Sequence, residues 1–231
     1  MKKLLLTLLT AMMVNAAWSG PVDDALAASA RNDVATLLQI LRPQALKGEA
    51  WSQSWLAELY AKGRGVPQDY AESIKWDRLA AQQGQVVSQN SLGMAYSDGR
   101  GVPQDYVESI KWYRLAAQQG FADSQFNLGL MYSQGEGVTQ DHVEAVKWYR
   151  LAAQQGRATA QNNLGTAYAE GKGVPQDYVK AHSWMNLSAT KGDALAVNNR
   201  NKIGKLMTPQ QIAEAQQLAR DCLARNFKGC D

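Results

Sequence analysis

Two cysteines and two histidines are the whole supply of soft metal ligands in this 231-residue chain, too few for a multi-ligand Cys/His zinc site. Two cysteines also allow no more than one bridge, which excludes a disulfide-dense miniprotein. Charge of one sign is lacking as well. The 24 basic and 21 acidic side chains leave a formal +3, so composition excludes a strongly basic nucleic-acid binder. Long apolar runs are confined to the first residues, and no later stretch is apolar enough to span a membrane. Against these absences stand 45% hydrophobic and 19% charged residues, the balance of a folded protein with room for one or two domains. Glycine (19) and tryptophan (7) are abundant, and both are spaced.

The first residues read as an address. Met1-Lys2-Lys3 is basic, Leu4 to Val14 is apolar apart from threonine, and Val14-Asn15-Ala16 supplies the small residues of a cleavage site. The run is about half the ~20 residues that a bilayer needs. We therefore expect a signal peptide over 1–16, cut after Ala16, and export to the periplasm or beyond. No cysteine follows the run, so a lipid anchor has no support. Losing Lys2 and Lys3 would take the formal charge from +3 to +1.

Gly65, Gly101, Gly137 and Gly173 recur every 36 residues, as do Trp76, Trp112, Trp148 and Trp184, and Tyr60, Tyr96, Tyr132 and Tyr168. Gly65–Gly84 matches Gly101–Gly120 at 18 of 20 positions. Such a period marks a stack of supersecondary units, none able to bury its apolar face alone. Each unit reads as two helices. In helix A, Ala122, Gln125, Leu128, Gly129 and Tyr132 share one face, and Gly129 removes a side chain where another helix must come close. Gly135 suits a left-handed helix end. Helix B opens at Asp141 with Glu144 three residues on, a capping-box pattern repeated at Asp69/Glu72 and Asp105/Glu108 and altered at Asp177/Lys180. Ala145, Trp148 and Ala152 line one face of helix B and Val146 and Ala153 another, as expected where it packs on two neighbours. Leu79, Leu115, Leu151 and Leu187 follow each Trp by three and are expected to be buried beside it.

Leu128-Gly129, Tyr132, Gly135, Gly137, Val138, Asp141, Ala145, Trp148, Tyr149, Ala152, Ala153 and Gly156 carry a string that resembles the Sel1-like repeat family, relatives of the tetratricopeptide repeat. The resemblance recurs four times over residues 49–192. It implies an all-α fold, a right-handed α-solenoid of helix-turn-helix repeats with helical caps. The expected divisions are capping helices at 17–48, repeats at 49–84, 85–120, 121–156 and 157–192, and a degenerate half repeat with a capping helix at 193–231. Asp33 to Gly48 resembles a divergent helix B, and Asp193 to Leu206 a degenerate helix A. In the final helix Thr208, Pro209 and Gln211 form a start signal, and Ile212, Ala215, Leu218, Ala219 and Cys222 a covering stripe. Cys222 and Cys230, eight apart, are expected to bridge in an oxidising compartment, the alternatives being free thiols or an intermolecular link.

Chemistry is sparse. His142 and His182 each replace another residue type in one repeat, as single structural drifts. Ser188-Ala189-Thr190-Lys191 fits S-x-x-K, of interest because some Sel1-like proteins have been described as binding or hydrolysing β-lactams, yet S-D-N and K-T-G elements are missing. The Gly-Arg-Gly turns lack the G-K-[ST] ending of a phosphate loop. We expect no enzyme, cofactor or metal.

The repeats differ most in helix A. Residues 85–98 and 121–134 share only 6 of 14, whereas the following turn and helix B share 16 of 20, so the varied positions are expected to project from the core. In tetratricopeptide-like stacks helix A lines the concave groove. Carried onto this chain, that points to Trp51, Trp55, Glu58, Ser91, Met94, Asp123, Phe126, Asn127, Leu130, Asn163 and Thr166 as partner-binding residues. The asparagines would hold a peptide backbone and the apolar side chains would anchor its residues. The expected protein is an exported, monomeric scaffold for a protein or peptide partner. The family also offers a periplasmic immunity protein neutralising a toxin or lipase effector as an alternative, and β-lactam chemistry as a second.

Overall fold

Asp69, Asp105, Asp141 and Asp177 stand in extended backbone, and each side chain accepts a hydrogen bond from the amide three residues on. A helix therefore starts at the same register point four times. The computed structural model describes residues 20–227, 229 and 230. The expected signal peptide and Trp18 lie outside them.

Among the described residues there are twelve helices and no strand. Two precede the repeated region, α1 (Pro21–Ala30) and α2 (Val34–Leu46). Four pairs follow: α3 (Ala50–Lys62) with α4 (Tyr70–Gln82), α5 (Val86–Asp98) with α6 (Tyr106–Gln118), α7 (Ala122–Gln134) with α8 (His142–Gln154), and α9 (Ala158–Glu170) with α10 (Tyr178–Ala189). Then come α11 (Ala194–Gly204) and α12 (Pro209–Ala224). From α1 to α11 each helix packs on its chain neighbours, most extensively within the four pairs, while α12 folds back over α10.

Leu56, Leu92, Leu128 and Leu164, one per A helix, are fully buried and contribute on the order of 2 kcal/mol each. Beside each stands a small residue. A Cβ on Gly129 would lie 2.7 Å from the Tyr149 ring, and one on Gly93 would lie 2.5 Å from Tyr113, so tyrosine of helix B seats on glycine of helix A. Gly135 ends α7 at φ 76°, as expected.

A ladder of buried amides sets the repeat-to-repeat geometry. Gln53, Gln89, Gln125 and Gln161 donate Nε2 to the carbonyls of Ala45, Ala81, Ala117 and Ala153 at 3.1–3.2 Å. The first three accept in turn from Gln83, Gln119 and Gln155 at 2.7–2.9 Å. The first three A helices thus clamp the C-terminal ends of the helices before and after them, and Gln161 of α9 holds the one before. Arg78, Arg114 and Arg150 add bonds to the hydroxyls of Tyr96, Tyr132 and Tyr168 in the next repeat.

Five expectations are corrected. Glu72, Glu108 and Glu144 do not complete capping boxes; their carboxylates pair with Lys75, Lys111 and Lys147 instead. Asp177 caps the Lys180 amide without any Glu, so the aspartate suffices. Only Thr208/Gln211 closes a full box. Leu79, Leu115 and Leu151 are 46%, 44% and 43% exposed, because three residues past Trp the helix has turned from its packed face; Leu187 alone is buried. Trp76, Trp112 and Trp148 are only half-buried, the core place beside each falling to the next residue, whereas Trp184 is enclosed in a cluster with Ala215 and Ala219 of α12. The varied positions of helix A do not all project outward either: Asn90 and Met131 are buried. Asn90 accepts a hydrogen bond from Ser124 at 2.8 Å, a use that hydrophobic spacing does not reveal. Finally, Leu218 is exposed at the margin of the α12 stripe, while Ala215, Ala219 and Cys222 are buried.

Candidate partner-binding groove

At two of the places where one A helix meets the next across a B helix, a cavity opens. One of about 540 Å³ lies between α3, α4 and α5, walled by residues that include Glu58, Asp77, Ser91 and Met94. A second of about 520 Å³ lies between α7, α8 and α9, with Leu130, Tyr149, Asn163 and Thr166 in its wall. They are the same place in the stack, two repeats apart. Glu58, Asp77, Ser91 and Met94 occupy the register positions of Leu130, Tyr149, Asn163 and Thr166. The repeated backbone moulds the cavity, and the unrepeated side chains set its chemistry.

Six of the expected site residues meet in these two cavities: Glu58, Ser91 and Met94 in the first, Leu130, Asn163 and Thr166 in the second. The others lie elsewhere. Trp51 and Trp55 stack edge-on, ring centroids 6.3 Å apart, against the N-terminal cluster around Leu37 and Leu41, and neither lines either of these two cavities. Asp123 pairs with Arg157, whose guanidinium sits 4.7 Å above the Phe126 ring, and that ring lies 6.0 Å from Tyr149. Burial depresses the Arg157 pKa. The Asn127 and Asn163 amides stand against the hydroxyls of Tyr113 and Tyr149, whose ionisation burial pushes upward.

Asp77 is the residue that spacing alone passed over. It is 7% exposed, and burial raises its carboxyl from 3.8 to about 7; the Ser88 hydroxyl beside it works against that rise, and the charge of Glu58 adds to it. A signal was present: Asp77 against Tyr113 is one of only two differences between Gly65–Gly84 and Gly101–Gly120. The glutamine ladder also escaped notice, although its 36-residue recurrence is as regular as that of tryptophan.

The remaining candidates are held mostly by contacts within the stack. Ser188 is fully buried, its hydroxyl 2.7 Å from the Ala158 carbonyl and 2.9 Å from Asp193. Lys191 donates to the Gly156 carbonyl and lies 4.9 Å from the centre of the Phe227 ring. His182 is buried, and its pKa is lowered by desolvation and by Arg200. His142 is half-buried at the second cavity. Cys222 and Cys230 form a disulfide. Among the described residues no cluster could hold a metal, and no helix is long and apolar enough to cross a membrane.

Helix pairs packed in series, with a recurrent cavity between successive A helices, define an α-solenoid, a class built for extended binding surfaces. The chain belongs to the Sel1 repeat family, whose model matches residues 52–85, 86–121, 122–156 and 158–193. Among solved structures it is similar to a protective antigen of uropathogenic Escherichia coli strains displaying an SLR fold, with TM-score 0.73 and 36% identity. That likeness covers 85% of this chain and 42% of the antigen, so the chain spans less than half of that protein. A Sel1 repeat protein from Oxalobacter formigenes is similar at TM-score 0.69 and 28% identity, over 88% of this chain and 76% of that one. No curated protein matches the chain.

Proposed function

We propose that this chain is an exported, non-enzymatic scaffold that holds a polypeptide partner along the groove of its A helices. The observation that carries the reading is the convergence of six side chains, expected from the helix-A groove of tetratricopeptide-like stacks, on two cavities at equivalent places in the stack. Residues that vary while the surrounding frame repeats suit selection for a partner's shape rather than for the fold. The disulfide Cys222–Cys230 is compatible with the oxidising compartment that export implies.

The test is affinity capture from envelope extract with wild type, a Met94→Glu/Leu130→Glu variant that places charge in both cavities, and Leu115→Glu on the exposed leucine stripe. The groove variant should lose the proteins that wild type retains, and Leu115→Glu should keep them. The reverse pattern would move the binding surface to the leucine stripe and end the reading.

A further inference from the structure

The two cavities share a mould but not a lining. At the second, the position on α8 is Tyr149, seated on Gly129, and the wall carries Leu130. At the first, the corresponding residues are Asp77 on α4, Ala57 beneath it, and Glu58. Tyr113 and Met185 hold the same place in the other two repeats, over Gly93 and Gly165. Only here has a large side chain given way to a carboxyl, and only here has the glycine acquired a Cβ.

That carboxyl is more than nine-tenths buried, lines the cavity, and has no cation partner among the described residues. The charged neighbours are already engaged. Lys62 of α3 pairs with Glu58, and Arg100, beyond α5, pairs with Asp98; Tyr70 of α4 and Ser88 of α5 are neutral. An unpaired carboxylate in such a wall is costly, and the cost is removed by a cation that reaches it. Ile74, Val87, Met94 and Ala95 give the cavity wall an apolar part. A cavity wall that sets apolar side chains beside a buried carboxyl, with Lys62 and Arg100 in the same wall already paired, suits a methylene stem carrying a compact charge.

Resting on the groove reading, we propose that the first cavity receives a lysine side chain of the partner polypeptide, with the Asp77 carboxylate as counter-ion to its ammonium and Glu58 as a second carboxylate in the wall. The second cavity, with tyrosine and leucine at the matching positions, takes no cation.

The experiment follows the Asp77 carboxyl carbon by NMR through a pH titration of the full protein, with and without Nα-acetyl-lysine methylamide. The uncharged isostere Nα-acetyl-norleucine methylamide is the control. Lysine amide should lower the Asp77 pKa by at least about one unit, a tenfold change in proton affinity, and norleucine amide should not. Asp77→Asn should abolish the shifts that lysine amide causes at Val87 and Met94. The paired change Asp77→Tyr with Ala57→Gly, which installs the combination of the neighbouring repeats, should abolish them in a filled, folded cavity. An Asp77 titration indifferent to lysine amide, an equal response to norleucine, or binding that survives both variants would overturn the proposal. The two readings fail separately. A partner lost by Met94→Glu/Leu130→Glu alongside an unresponsive Asp77 sinks only the lysine pocket. A responsive Asp77 in a protein whose groove variant keeps its partners sinks only the groove reading.

Discussion

Asp77→Asn should make the protein more stable at neutral and alkaline pH and leave it nearly unchanged in acid. The carboxyl is 7% exposed and titrates near 7 in the folded chain rather than at its ordinary 3.8. Below 3.8 both folded and unfolded chains hold the proton, and Asp77 contributes no penalty. As pH rises from there, the unfolded chain releases its proton first, and the folded state loses about 1.4 kcal/mol per pH unit until its own carboxyl ionises near 7. The full loss is about 4 kcal/mol, an upper value because water reaching the cavity would soften it. Asparagine keeps the shape and cannot ionise. Urea unfolding of both proteins from about pH 4 to about pH 8, read by tryptophan fluorescence, isolates the effect, because other titrating groups cancel in the difference. The variant's advantage should grow with pH and level off above 7. Parallel stability curves would show that Asp77 ionises freely and that its burial does not govern its charge.

Three further outcomes follow from the packing. Gly129→Ala should cost about 1–3 kcal/mol by driving a methyl into the Tyr149 ring, and the same change made in a Tyr149→Ala background should cost much less; a double-mutant cycle in urea measures the coupling. Gln125→Leu leaves the Ala117 carbonyl without its side-chain donor and Gln155 with the Gly120 carbonyl as its one acceptor, and should lower stability by about 1–3 kcal/mol in the same assay, whereas Gln154→Leu outside the ladder should be near neutral. Reducing the Cys222–Cys230 bridge should lower stability by up to about 2.5 kcal/mol, seen as a shift of the thermal transition with reductant, because the closed loop is short.

Architecture was legible in the sequence because it is written four times. A period of 36 residues, a glycine after each helix and an aspartate at the start of each B helix define the helix pairs without reference to a structure. The direction of individual side chains was less legible. Trp76 and Leu79 were read together as buried, yet tryptophan tolerates half-burial at the edge of a helix face, and leucine three residues on has turned to solvent. The tryptophans at 51 and 55 looked like groove residues because they stand on helix A, but what they meet is set by α1 and α2, whose packing lies beyond the reach of repeat spacing. Asn90 and Met131 were counted as outward because they vary, yet both are buried, so variation between repeats marks partner-facing positions only where the residue is also accessible.

That qualification sharpens what the repeats say about recognition. A stack of identical units would offer the same cavity at each junction and bind a partner in any register. Here the A-helix clamps, Gln53, Gln89 and Gln125, hold the frame constant while Glu58 becomes Leu130, Asp77 becomes Tyr149 and Ser91 becomes Asn163. On the groove proposal, equivalent moulds with unlike linings would fix both the order and the direction in which a partner chain lies, because its cationic residue would have one favourable place and its apolar or amide-bearing residue another. Asp77 supplies the strongest of these distinctions, since a buried carboxyl rejects apolar groups as firmly as it accepts an ammonium. Removing it should therefore broaden the range of partners captured as well as weaken the preferred one, an outcome that a purely structural role for Asp77 does not produce.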